Sequence, residues 1–447
     1  MTTSATRGQP WLLPLAALAA VSIGAAAWLA VLPGRSGDLA IVLSWLRHMA
    51  DTGVSPYIVA DLEVDYPPHA LVLLYPLVWL PAGREALWFV GPAVLCAIWM
   101  AWTWPRWMAT MSATSSSRHL ATSPSRHLAT SPSRHLAISS SRHLAISSPR
   151  HLVISPLLWS LLVLTWGPVR VGIWNAQTVS PAIIAALAAM TMARRVPWVA
   201  GVLFALAATK PPLAVALGVF FLLRGDTRVI AVGVVVALGL ATVFDGMMGQ
   251  VPFSWLPQYV QSLEWMYTGT NYFRGVTTFQ PVFDDTIADP AVAHTLFRVI
   301  ALALGVWGAW RMWAVRRSAD AQLLVATACF LWVLVALPNQ RYYLVLLFPV
   351  AWMAWHTPAR LLLSETMGRT LAAVIVIFNT LDTPLLVRQL AVSIPTSEGQ
   401  SLAWLWWLAY VVAAPLVLVC YVIVVRAAGV GVAMESAPEI APGIAPD

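Results

Sequence analysis

Long apolar runs dominate the chain, and they alternate with short polar breaks. Runs fall at residues 12–32, 86–104, 153–166, 179–192, 198–208, 213–223, 229–244, 296–313, 323–337, 343–355, 371–386 and 402–425. A membrane crossing takes about 20 apolar residues in a helix, so these runs predict an all-α, polytopic transmembrane helix bundle of about 12 crossings. They are continuous rather than alternating in segments of about ten, which argues against a transmembrane β-barrel. The first run follows a short polar start carrying Arg7 and exceeds the length of a cleavable apolar region, so it reads as an uncleaved first helix.

Two stretches outside these runs are also helical in pattern. Leu39, Val42, Leu43, Leu46 and Met49 recur at helical spacing, as in an amphipathic helix on the membrane surface. Residues 68–80 are apolar but short, begin with a second proline after Pro67 and end at Pro81, which predicts a helix in the outer interface instead of a crossing. Four parts follow: 1–104, with the first two crossings and the loop between them; a linker at 105–152; the remaining bundle at 153–426, with a long loop at 245–294; and a tail at 427–447.

The linker repeats every eight residues around Ser-Arg-His-Leu-Ala, with Arg118, Arg126, Arg134, Arg142 and Arg150 in register. Eight residues turn a helix about 80° past two full turns, so the arginines would spiral around it. Serines and Pro124, Pro132 and Pro149 point to a flexible linker. Five repeat histidines at this spacing build no preformed metal site.

Composition agrees with lipid as the solvent. Of 447 residues, 59% are hydrophobic and 10% charged, where a soluble domain carries about 25% charged residues. That balance excludes a disordered chain and a disulfide scaffold. Cys96, Cys329 and Cys420 all lie inside apolar runs and act as small apolar side chains.

With the N-terminus inside, 17 of the 26 basic residues fall on the cytoplasmic side and 13 of the 19 acids fall outside. The positive-inside rule supports that orientation and a multi-pass protein of the cell membrane. The basic excess is therefore a topology signal, and nucleic acid is not an expected partner. Membrane lipids are.

The scarce external polar residues are the candidates for chemistry. The loop from Pro33 to Arg84 holds Asp38, Asp51, Asp61, Glu63 and Asp65, with Glu85 at its edge. Asp38 begins the amphipathic helix, where it either caps the backbone or deprotonates a hydroxyl at the boundary of lipid and water. Asp61, Glu63 and Asp65 alternate and either form a solvated loop face or gather a divalent cation, so metal dependence stays open. Lys210 is the one lysine of the chain, placed outside between two helices and followed by Pro211 and Pro212. It reads as a phosphate contact or as a snorkelling cation. Arg341, beside Tyr342 and Tyr343, offers a second grip on phosphate or an ordinary interfacial flank. Trp255, Tyr259, Trp265, Tyr267, Tyr272 and Phe273, followed by Asp284 and Asp285, fit a sugar-binding surface or an interfacial belt.

Several of these residues occur in an order that resembles glycosyltransferase family 87 of the GT-C superfamily. The order is Gly37-Asp38 after the first helix, then Tyr57, then Tyr66-Pro67-Pro68 opening an apolar segment. Gly172 with Asn175 and Gln177 follows, then Gly201 to Pro212 ending in Ala-Ala-Thr-Lys-Pro-Pro, and Tyr342-Tyr343 opening a late helix. The resemblance covers most of the chain apart from the repeat and the tail.

It implies a GT-C bundle with external juxtamembrane helices. It implies an inverting hexosyltransferase whose donor is a polyprenyl-phosphate sugar, usually mannose, and whose acceptor is a glycolipid or lipoglycan on the extracytoplasmic face. No nucleotide and no other cofactor is implied. Carried over, Asp38 is the general base, Lys210 and Arg341 contact the donor phosphate, and Tyr57, Tyr66, His69, Asn175, Gln177 and Tyr342 are substrate-binding candidates. The chain departs from the pattern at Asn339-Gln340-Arg341, where relatives carry a histidine, and at Asn175-Ala176-Gln177. His69 offers an imidazole in place of the first. A transporter or flippase and a noncatalytic scaffold of envelope glycan assembly are the alternatives; the absence of two-fold internal repeats speaks against the first.

Overall fold

A computed structural model describes residues 12–31, 37–59, 62, 64–80, 88, 90–100, 102, 156–174, 177–268, 278, 280, 283, 286–316, 318, 321–337, 341–380 and 403–435. The octad repeat lies outside them, as do residues 436–447 of the predicted tail, while 427–435 continue the last helix. Among the described residues the chain is helical, with no strand.

The helices are α1 (Leu12–Val31), α2 (Gly37–Thr52), α3 (Pro68–Leu74), α4 (Val90–Met100), α5 (Pro156–Leu164), α6 (Gly167–Trp174), α7 (Val179–Met192) and α8 (Pro197–Ala207). They continue as α9 (Pro211–Arg224), α10 (Thr227–Met247), α11 (Trp255–Thr268), α12 (Pro290–Trp313), α13 (Gln322–Ala336), α14 (Phe348–His356), α15 (Glu365–Thr380) and α16 (Ala403–Glu435). Prolines open many of them, at Pro68, Pro156, Pro197, Pro211 and Pro290, because the first helical position needs no N–H donor and proline already has a helical φ.

Among the described residues, three helical segments are long and apolar enough to cross a membrane: Thr227–Met247, Pro290–Trp313 and Val412–Gly429. Other predicted runs form shorter apolar helices of 10–17 residues, so about 12 full crossings are not what helix length alone delivers. The run predicted at 343–355 is likewise divided, opening as a 3-10 turn over Arg341–Leu347 before α14. The three cysteines are buried and unpaired, as small apolar side chains would be.

Two cores result. The larger gathers α5, α7, α9, α13, α14 and α16 around Trp159, Trp166, Phe220, Phe221, Phe348 and Tyr421. Close approach of α8 and α10 depends on glycine: a Cβ at Gly201 would stand 2.5 Å from the Val232 Cβ, and one at Gly233 would stand 3.0 Å from the Gly201 carbonyl.

The second core corrects two expectations. The apolar stripe of α2, from Leu39 to Met49, is buried against Tyr57, Val64, Tyr66, Ala70, Leu71 and Phe244. It faces protein, not a membrane surface. The helix predicted at 68–80 divides into α3 and a 3-10 turn at Tyr75–Trp79; the first turn of α3 is buried and packs on α10, while Trp79 stays exposed. An apolar stripe reports that something covers it; it does not report what.

Candidate functional site

The site is built on a piece of chain that can be neither helix nor strand. Tyr66 is followed by Pro67 and Pro68, and a residue before proline is held out of the helical region; residues 64–66 lie in neither helix nor strand and, like Leu62 in the 3-10 turn ahead of them, have no ladder in which to place their carbonyls. Side chains from three other elements take them. Trp45 of α2 donates its Nε1 to the Leu62 carbonyl at 2.6 Å. From α11, Ser262 Oγ donates to the Val64 carbonyl at 2.9 Å and Tyr259 Oη to the Asp65 carbonyl at 3.1 Å. Tyr57, from the 3-10 turn Pro56–Ile58, donates its hydroxyl to the Tyr66 carbonyl at 2.6 Å. The Tyr57 ring is buried between Phe244 and Tyr259, at centroid distances of 5.4 Å to each.

Held in this way, Tyr66 presents its phenol to Lys210. Lys210 precedes Pro211, so its backbone is extended (φ −114°, ψ 102°) and interrupts the helix between α8 and α9. Its Nζ donates to Tyr66 Oη at 2.5 Å and to Gln177 Oε1 at 2.8 Å, and lies 4.1 Å from the centroid of the Tyr66 ring. Tyr66 Oη and Thr178 Oγ1 share a further hydrogen bond of 3.1 Å. Trp45 meets Tyr66 edge to face, with centroids 5.7 Å apart. Lys210 is only 4% exposed, and a buried ammonium is tolerated because oxygens surround it.

Residues 65–338 match glycosyltransferase family 87, which is more than half of the chain. The chain belongs to that family. None of the curated proteins and none of the solved structures compared with it matches. The stretch shared with glycosyltransferase family 87 opens at Asp65 and takes in Tyr66, Gln177, Lys210 and all of α11, while Asp38 and Arg341 fall outside it.

Charge in the site is set by burial. The Asp65 carboxyl is raised above the usual carboxylate range by desolvation, with the Lys210 charge pulling it back down. Burial also raises the phenols of Tyr57 and Tyr66, and Lys210 opposes the shift at Tyr66. Tyr66 therefore stays protonated near neutral pH, with its proton available to Thr178. His69, in the first turn of α3, is lowered to about 4 by burial, while the carbonyls of Ala205 and Ala208 at the end of α8 draw it upward. Its imidazole is neutral at pH 7, and its Nε2 is buried with no hydrogen-bonding partner.

Of the residues singled out from sequence, the structure thus brings Tyr57, Tyr66, Gln177 and Lys210 into one cluster. Asp38 lies in the first turn of α2. Trp45 follows it by seven residues, about 10 Å along the helix axis. The Asp38 side chain lies outside the described residues, as do Asn175, the side chains of Arg341 and Tyr342, and Asp61, Glu63, Glu85, Tyr272, Phe273, Asp284 and Asp285. No group of three or more metal-ligating side chains occurs among the described residues.

Two roles differ from expectation. Tyr259, a candidate sugar-stacking ring, instead holds the Asp65 carbonyl. Asp65, one of three alternating loop acids, is the carboxylate whose charge meets that of Lys210. The three-residue spacing of Tyr259 and Ser262, which puts both on one helical face, was the available signal for the first.

Asp245, at the end of α10, is fully buried and has an architectural part. It accepts from the backbone N–H of Phe253 at 2.6 Å and of Trp255 at 3.1 Å, and from Ser254 Oγ at 3.0 Å. Phe253 adopts a left-handed φ of 70° there. One carboxylate thus sets the turn that aims α11, and with it Tyr259 and Ser262, at residues 64 and 65.

Proposed function

We propose that this membrane glycosyltransferase moves a hexose, mannose in the first instance, from a polyprenyl-phosphate donor to a lipid-linked glycan on the extracytoplasmic face. The observation that carries this reading is the Lys210 cluster inside the stretch shared with glycosyltransferase family 87. A buried ammonium exerts a stronger field than an exposed one, and such a field stabilises the charge that develops on a departing phosphate. An entering phosphate oxygen would replace Tyr66 or Gln177 on Nζ, freeing a phenol and an amide to orient the sugar hydroxyls.

In this reading the acceptor hydroxyl attacks the anomeric carbon on the face opposite the phosphate. The bond from that carbon to the phosphate oxygen breaks, and its electron pair leaves with the polyprenyl phosphate. The hydroxyl proton passes to the Asp38 carboxylate. Inversion turns a β-linked donor into an α-glycoside. Arg341 gives the phosphate a second cation, His69, Asn175 and Tyr342 complete the substrate surround, and Tyr57 acts from behind by holding the Tyr66 carbonyl.

The raised Asp65 carboxyl favours a second assignment of the base, at the Lys210 end of the cluster. The test compares Asp38→Asn with Asp65→Asn in membranes supplied with lipid-linked mannose. Asp38→Asn is expected to lower transfer by about a hundredfold or more at a normal protein level, and Asp65→Asn by much less. The reverse order moves the base to Asp65. Undiminished transfer in both removes a carboxylate base from the reaction. Glycolipid profiles with and without the protein then name the acceptor.

A further inference from the structure

The end of α9 opposite Lys210 is as basic as the Lys210 end is mixed. Fourteen residues, about 20 Å of helix, separate the two ends. Arg224 closes α9 and Arg228 opens α10, while Arg194 and Arg195 sit in the turn between α7 and α8. Packing of α8 against α7, α9 and α10 brings the two turns together.

Gly225, with φ 75°, ends α9 by donating to the Leu222 carbonyl at 3.1 Å, and Asp226 N–H reaches the Phe221 carbonyl at 2.9 Å. This tight closure fixes Arg224, whose Nε donates to Asp226 Oδ2 at 2.9 Å and whose guanidinium lies 5.3 Å from the Phe220 ring. Arg194 is close enough for its charge to repel that of Arg224. Among the described residues no carboxylate pairs with Arg194, Arg195 or Arg228. Four guanidinium groups against one carboxylate leave three positive charges in two adjoining turns.

Apolar side chains border them. Trp198, three residues after Arg195 on α8, is 65% exposed, and Leu222, two residues before Arg224, is 59% exposed. Exposed guanidinium groups beside an outward-facing tryptophan and leucine match an amphiphile: phosphate on the cations, acyl chain on the apolar side chains. A free anion would have no use for the second half.

We propose that the 193–196 and 225–228 turns form a headgroup site for an anionic phospholipid, separate from the Lys210 cluster. Arg194, Arg195 and Arg228 hold the phosphate; the Arg224–Asp226 pair is the fixed floor.

The test uses the full-length protein in a neutral detergent, with native mass spectrometry and thermal unfolding as readouts. Phosphatidylglycerol is added, against phosphatidylcholine of the same chains and against inorganic phosphate. Phosphatidylglycerol is expected to remain bound and to raise the melting temperature, with affinity falling about a hundredfold in Arg194→Gln/Arg195→Gln/Arg228→Gln and holding in Lys210→Gln. If the triple variant does not fold, Arg195→Gln and Arg228→Gln singly are each expected to weaken binding about fivefold. Equal retention of phosphatidylcholine, or undiminished binding in the arginine variants, overturns the site. An equal shift with inorganic phosphate overturns the lipid and leaves a free-anion site. Loss in Lys210→Gln alone places the lipid at the other end of α9 and also overturns it.

Discussion

Lys210 and Tyr66 lie 144 residues apart and meet through a 2.5 Å hydrogen bond in which the buried ammonium donates to the phenol. Lys210→Gln removes the charge and leaves the oxygens of Tyr66 and Gln177 short of a donor. Transfer from the lipid-linked donor is expected to fall by about a hundredfold, and stability by about 1–3 kcal/mol. Tyr66→Phe keeps the charge and should lose far less activity. Equal losses in the two variants, measured as turnover alongside thermal unfolding, would show that the ammonium contributes no field of its own.

Tyr259 and Ser262 hold the carbonyls of Asp65 and Val64 with their hydroxyls, and the Tyr259 ring packs on Tyr57. Tyr259→Phe combined with Ser262→Ala therefore predicts a lower kcat with KM little changed, at about 1 kcal/mol for each hydrogen bond removed. Ser262→Thr keeps a hydroxyl and is expected to restore most of the rate to the serine position. Failure of the threonine to rescue, or a loss confined to KM, assigns the two side chains elsewhere.

Asp245→Ala strands two backbone N–H groups, leaves the Ser254 hydroxyl with Gln250 Oε1 alone, and releases the left-handed turn at Phe253. Bonds to a carboxylate are worth about 1.5–3 kcal/mol each at most, so a destabilisation of about 3 kcal/mol is expected. Hydrogen exchange should quicken in α11 before it does in α9. Uniform exchange across both helices would mean that Asp245 does not govern the turn separately.

His69 gives a pH dependence of definite sign. Its pKa falls from 6.5 to about 4 on folding, so the unfolded chain takes up the proton first as the solution is acidified. The contribution to stability is complete above pH 6.5 and is lost as pH falls from 6.5 to about 4, by about 3 kcal/mol in total. Asp65 works the other way, since its raised carboxyl protonates more readily in the folded chain and so favours folding on acidification. The difference between wild type and His69→Gln isolates the histidine. The variant should lose less stability across that window; parallel curves would sink the assignment.

The helices were readable because apolar runs and prolines act locally. Lys210 before two prolines was visible as a helix break, and Tyr66, Gln177 and Lys210, singled out by their order along the chain, are residues that the structure brings together. What stayed hidden depended on long-range pairing. Nothing near Leu62 to Tyr66 in sequence announces that four side chains will satisfy its carbonyls, since two of the donors lie in α11. The α2 stripe showed its face clearly, yet lipid and protein impose the same pattern on it. Asp65 reads in sequence like Asp61 and Glu63, and its burial beside Lys210 is a property of the finished fold.

The grip on residues 62–66 also has a history within each molecule. The donors on α11 follow their acceptors by 194 and 198 residues. At a synthesis rate of about 5–20 residues per second, that gap is roughly 10–40 s during which the carbonyls of Val64 and Asp65 wait without these two partners. The nascent enzyme thus carries its phenols and its lysine through insertion before it can hold them in place. Only when Ser262 has been delivered does the chain close the site it began.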